Sequence, residues 1–250
     1  MLEILGFELS LYNLLGLAIV AMLVGMAKTG LSGAGMIAVP LLALMFGGKA
    51  STGLLLPFLI IADVFAVKHY HSDANWKHLR RLLPFAVVGV VLGTLLGNYI
   101  DNATFTVVMG GIVVACLGLM VWQERQENLA VPSSNWFVVT IGVLGGITTM
   151  VGNLAGPVMA LYLLAMRFPK KEFIGTAAWF FMAINLIKVP FHVFVWETVS
   201  FESVMLNMIF LPAVLLGGWL GIKIVTVLSE QLFRNFVIVM TFVAAVAMLV

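Results

Sequence analysis

Residues 25–40 read GMAKTGLSGAGMIAVP, and residues 146–157 read GITTMVGNLAGP. Each is a glycine-studded, polar interruption inside sequence apolar enough to sit in lipid. Lipid offers no hydrogen bonds to free backbone N–H and C=O groups, so non-helical peptide at membrane depth must be buried in protein or line a water-filled cavity. Two such breaks at corresponding places in two halves of a chain point to a transporter binding site.

Composition sets the class. Hydrophobic residues make up 62% of the 250 and charged residues 10%, against roughly 25% charged in soluble domains. The mean hydropathy of +1.14 agrees, and the reading is a polytopic membrane protein. A net charge of +2 is scattered without a basic block, so no nucleic-acid partner is expected. The single cysteine, Cys116, excludes a disulfide within the chain and reads as a small buried apolar residue. MLEILGFELS at the start lacks a basic leader, so the first apolar run is expected to be retained in the membrane. There is no HExxH motif, no phosphate-binding loop and no nucleophile–base arrangement. Neither enzymatic chemistry, nor a metal, nor a cofactor is expected.

The apolar runs are Leu11–Ala27, Met36–Phe46, Gly53–Val67, Leu82–Ile100 and Phe105–Trp122. After the hydrophilic linker come Trp136–Ile147, Pro157–Met166, Thr176–Val195, Val204–Thr226 and Phe233–Val250. The expected organisation is a first repeat over 1–122, a cytoplasmic linker over 123–135 and a second repeat over 136–250. Runs of 11 residues rise only about 16 Å, so Met36–Phe46 and its counterpart suit half-helices better than full spans. Gly25 and Gly35 match Gly146 and Gly156 at a separation of 121, and Thr52 matches Thr176 at 124. Pro84, Gly89, Gly93 and Phe105 match Pro212, Gly217, Gly221 and Phe233 at 128.

The basic loops Lys68–Arg81 and Arg167–Glu172 are expected on the cytoplasmic side. One follows the third segment of its half and the other precedes it, so the halves are expected to be inverted, with both termini outside. The fold expected is all-α: two inverted repeats, each a broken or re-entrant helical hairpin plus three transmembrane helices.

Candidate substrate-binding residues cluster at the breaks. Lys28, Thr29, Ser32, Gly33 and Gly35 belong to the first, and Thr148, Thr149, Asn153 and Gly156 to the second. Helix N-termini near Gly35 and Gly156 would aim N–H groups inward, favouring an anion. Lys188 is buried in an apolar run, where a cation costs about 2.5–3.5 kcal/mol or more, and Asn185 shares its helix face. Asp63, in the matching segment, and His192 are candidates for ion pairing or proton coupling. An internal Lys188–Asp63 pair is the structural alternative, as is snorkelling of Lys28 to the interface. Pro190 is expected to interrupt its helix. Gly89, Gly93 and Gly97 read as a tight helix crossing. Trp76, Trp122, Trp136 and Trp196 read as interfacial anchors, and His69, His71 and His78 as solvated.

GLSGAG before Pro40, ANWKHLRRLLP, the glycine ladder at 89, 93 and 97, GNLAGP and NLIK-P occur in an order that resembles the sulfite exporter TauE/SafE family. The resemblance covers nearly the whole chain. It implies export of sulfite, an organosulfonate or a related sulfur compound, from a prokaryotic inner membrane. An anion channel of the same architecture, or a membrane-embedded enzyme or assembly subunit, are the other readings.

Overall fold

The computed structural model describes residues 2–4, 6–31, 34–46, 48–99, 134–229 and 231–236, with isolated positions 101, 104, 115, 118, 122, 238, 239 and 242. Most of the expected span Phe105–Trp122, including Cys116, most of the linker and most of Phe233–Val250 lie outside the described residues, as do Ser32 and Gly33.

Nine α-helices are described: α1 (Leu11–Lys28), α2 (Ala34–Phe46), α3 (Gly48–Tyr70), α4 (Trp76–Tyr99), α5 (Asn135–Gly152), α6 (Ala155–Ala165), α7 (Lys170–Phe194), α8 (Phe201–Ile209) and α9 (Leu211–Val227). Five are long and apolar enough to span a membrane, and α8 with α9 forms a sixth candidate. Before α1 lies a small hairpin, β1 (Leu2–Ile4) against β2 (Phe7–Leu9), that was not expected. Gly6, at φ +79°, makes its turn, and Leu9 is fully buried in the α1–α2–α3 core.

Helix starts follow local chemistry. Ser10 caps α1 by accepting from the Asn13 N–H at 3.1 Å, and Ser134 caps α5. Ser200 and Ser203 form a reciprocal capping box on α8. The expected span Val204–Thr226 is instead two helices bent by 57°. Pro212, in the first turn of α9, explains the break: it has no N–H to continue the ladder from α8, and its ring crowds the carbonyl four residues back. Pro190, in contrast, does not interrupt α7, which continues to Phe194.

The breaks are also shorter than the sequence suggests. α1 runs through Gly25 to Lys28, and α5 runs through Gly146 to Gly152. Those two glycines are therefore packing positions rather than parts of the interruption. Any side chain at Gly146 would strike the Ala86 carbonyl and Gly89 of α4; any at Gly25 would strike the Val214 carbonyl and the Gly217–Gly218 backbone of α9. The contacts are reciprocal: Gly89 lies on the Val143 carbonyl and Gly217 on the Met22 carbonyl. Each pair corresponds under the separations of 121 and 128 found in the sequence. The first helix of each half thus packs on the fourth crossing of the other half. Within each pair the two helices run in the same direction, since Gly93 lies on Ile147 and Gly221 on Met26.

α3 and α7 lie antiparallel. Gly53, near the start of α3, packs on Thr198 after α7, and Gly175, near the start of α7, packs on Tyr70–Ala74 after α3. The pattern is compatible with the inverted repeat expected from the sequence. Two apolar cores result. One joins α1, α2 and the first part of α3 to α8 and α9; the other joins α4, α5, α6 and much of α7.

Gly97 meets the indole of Trp196. That tryptophan is 7% exposed, so it is a core residue and not an anchor. Trp76, Trp122 and Trp136 are exposed, as anchors should be.

Gly217→Val should destabilise the protein by about 1–3 kcal/mol or more, because the added atoms meet main chain that cannot yield. Gly89→Val should match it, whereas Gly156→Ala, which meets nothing within 4 Å, should leave the unfolding temperature unchanged in detergent. Equal melting of all three would refute the role given to the glycine seams.

Candidate functional site

Lys28 ends α1, and its Nζ lies 2.9 Å from Asp63 Oδ1 of α3. The other carboxylate oxygen accepts from Asn185 Nδ2 of α7 at 2.7 Å. One turn further along α7, Lys188 Nζ donates to Asn185 Oδ1 at 3.3 Å, to Thr149 Oγ1 at 3.3 Å and to Asn153 Oδ1. Asn153 Nδ2 then donates to the Thr52 carbonyl at 3.2 Å. Helices α1, α3, α5 and α7 are thereby joined by one polar network inside the protein. Its partners fix both amides, since turning either round would set an NH₂ group against an ammonium.

The expected pairing of Lys188 with Asp63 is not what forms. Asp63 faces Lys28, and Lys188 is bound by three neutral oxygens. An ammonium has three donors, and all three are committed at Lys188, which is fully buried. Lys28 does not snorkel either. Its side chain is 11% exposed, and Nζ sits 4.1 Å from the ring centre of Phe181 in a cation–π contact.

Asn153 has a second task. It adopts the left-handed conformation, φ 55° and ψ 30°, and closes α5: its N–H reaches the Thr149 carbonyl while the Leu154 N–H reaches the Thr148 carbonyl. That is an αL helix ending, its 5→1 bond running from Asn153 to Thr149, with asparagine where glycine is usual. The chain then starts α6 within two residues. In the first half, Gly30 at φ +128° performs the corresponding turn before α2.

The two interruptions open onto one cavity of about 80 Å³. Lys28, Gly30 and Gly35 line it from the first break, and Thr149, Asn153 and Gly156 from the second, with Asn185 from α7. The remaining wall is apolar and includes Leu55, Leu59, Met159 and Phe181. At roughly 10–15 Å³ per water-sized probe, the cavity accepts a small polyatomic solute.

Not every expected residue takes part. Thr29 Oγ1 donates back to the Gly25 and Met26 carbonyls at 3.1 and 3.2 Å, and Thr148 Oγ1 to the Gly145 carbonyl at 3.2 Å. Neither lines the cavity, and neither does Lys188. His192 is fully buried on the Lys188 face of α7, but its Nδ1 lies 2.8 Å from Thr198 Oγ1, away from the cavity. His78 is half-buried, with Nδ1 2.6 Å from the hydroxyl of buried Tyr162, so it is not simply solvated. Phe181 was not singled out from sequence. Its signal was present: positions 181, 185, 188 and 192 fall on one helical face.

A family model described as Sulfite exporter TauE/SafE matches residues 17–248, a stretch that includes both interruptions and the whole network. The chain belongs to the sulfite exporter TauE/SafE family. With its apolar helices, membership makes it a multi-pass membrane protein of a transport family. No curated relative and no solved structure matches the chain.

Lys188→Ala should lower stability by about 2–5 kcal/mol, since Thr149, Asn153 and Asn185 would each keep a buried oxygen without its donor. Thermal unfolding of the detergent-purified variant measures this, and a wild-type midpoint would refute it.

Proposed function

We propose that the chain is a secondary transporter that carries a small anion, sulfite or an organosulfonate or a related sulfur compound, by alternating access between two inverted repeats. The observation that carries the proposal is the shared cavity: both helix breaks open onto it, and a lysine lies on its wall. The network around it holds two lysines and one carboxylate, formally one positive charge in excess. Backbone N–H groups at the starts of α2 and α6, near Gly35 and Gly156, add positive potential on the same side.

Substrate contact is assigned to Lys28, Thr149, Asn153 and Asn185, with Gly35 and Gly156 providing close backbone approach. The apolar wall suits an anion with a small organic part at least as well as a bare oxyanion. Inversion is supported by helix direction. Tyr70 Oη, at the end of α3, contacts the Thr29 carbonyl at the end of α1 at 3.5 Å. α5, by contrast, runs parallel to α4, which starts from that same end of the molecule. The basic residues Lys68, Arg80, Arg81, Lys170 and Lys171 gather at that end. This favours a cytoplasmic assignment for it and an outer start for α1; export across an inner membrane is the reading that family membership supports.

A carrier, unlike a channel of the same architecture, binds its solute at a discrete site, here the cavity shared by the two helix breaks. In proteoliposomes, flux of labelled sulfite or methanesulfonate should saturate with concentration, and Lys28→Ala should cut it at least about tenfold at equal reconstitution. Linear, unsaturable flux would favour the channel, and wild-type flux in Lys28→Ala would end the reading of this site.

A further inference from the structure

We propose that Asp63 is a tethered counter-anion, holding Lys28 in the empty site and giving it up to the transported anion. The inference rests on the reading of the cavity as an anion site. It adds that binding is an exchange of one negative partner for another.

Four observations carry it. Lys28 is the lysine on the cavity wall, while Lys188, with its three donors committed, has none to offer a solute. Asp63 is fully buried and does not line the cavity, so its carboxylate reaches Lys28 Nζ from behind, at 2.9 Å. The second oxygen of Asp63 is already held by Asn185, whose own oxygen accepts from Lys188. A carboxylate released by Lys28 therefore keeps a donor amide and stays near a second cation. Among the described residues, Lys28 from α1 and Lys188 from α7 are the charged groups that face it.

The fourth observation comes from the repeat. The position equivalent to Asp63 is Ile187, and that equivalent to Lys28 is Thr149. The second half thus fills the same places without an ion pair. Packing alone does not require a carboxylate at 63.

A lone buried lysine would grip an anion tightly and release it slowly. A resident carboxylate weakens that grip and returns to Lys28 as the solute leaves, which promotes turnover. Conduction needs binding that is favourable enough for entry yet weak enough for exit.

The test is titration of purified protein with sulfite and with methanesulfonate, combined with exchange in proteoliposomes. Asp63→Asn should bind the probe at least about tenfold more tightly than wild type and exchange it several-fold more slowly. The gain should vanish in the Lys28→Gln/Asp63→Asn double variant. Equal or weaker binding by folded Asp63→Asn overturns the proposal, as does a gain that persists without Lys28. Asp63→Glu is a second reading if the asparagine variant does not purify. Its longer arm pushes the carboxylate towards the cavity, so affinity should fall about threefold; equal or tighter binding overturns the proposal. Wild-type protein that binds neither probe would remove the anion site itself, and this inference with it.

Discussion

An ammonium group buried among apolar helices must find its hydrogen-bond partners inside the protein, and much of this structure follows from how Lys188 does so. Its acceptors come from α5, from the break after α5 and from its own helix. Asn153 can serve only because it sits in the left-handed turn that ends α5, so the helix break and the lysine depend on each other. Asn185 serves at a second remove, presenting its oxygen to Lys188 and its amide hydrogens to Asp63. Pulling out any member would leave a buried polar group unpaired, which costs more than the net gain of making the bond. The network therefore fixes how the four helices meet in this conformation. It also leaves Lys28, the less buried lysine, as the cation with donors to spare.

The scaffold that carries this network is held by close backbone contacts. Van der Waals packing between helices in lipid improves when small residues let main chains approach. Here the glycines form two seams, α1 on α9 and α4 on α5, and each seam crosses between the halves. The two apolar cores follow the seams and not the repeats. On the proposed cycle, the units that move past one another are two blocks that each borrow helices from both halves. The cavity lies between them, where α3 and α7 cross and their polar side chains meet.

The breaks, the short helices beside them and the buried lysines were legible in the sequence because each departs from the surrounding hydropathy. In lipid, a short apolar run flanked by glycine and polar residues fits a broken span and little else. The ends of the breaks were less legible. Gly25 and Gly146 read as part of the interruption, although glycine also marks a helix crossing, and only the partner helix decides which. The pairing of Asp63 was hidden for a related reason. The repeat aligns it beside Lys188, but the side chain turns to α1, and no pattern within α3 or α7 reveals a partner on a third element. Trp196 read as an anchor because it ends an apolar run, yet Gly97 leaves space for its ring inside. The hydroxyls of Thr29 and Thr148 illustrate the same limit, since a threonine that bonds its own helix looks the same in sequence as one that faces a ligand.

The two halves agree where they build the scaffold and differ where they hold charge. Glycines that form the seams recur at fixed separations, and the contacts of Gly25, Gly217 and Gly221 in one seam have counterparts at Gly146, Gly89 and Gly93 in the other. At the separations of 121 and 124, Lys28 corresponds to Thr149, Asp63 to Ile187 and Lys188 to Val64. On the proposed alternating-access reading, an inverted pair of repeats would supply two related arrangements, one open to each side. A symmetric charge set would instead place like groups in pairs about the axis, with cation beside cation or carboxylate beside carboxylate. Such pairs repel strongly at the separations found here, where little water screens them. Putting both lysines and the single carboxylate at non-equivalent positions lets unlike charges interleave through Asn185. The excess positive charge then lies on one wall of the cavity, where a single negative solute can meet it.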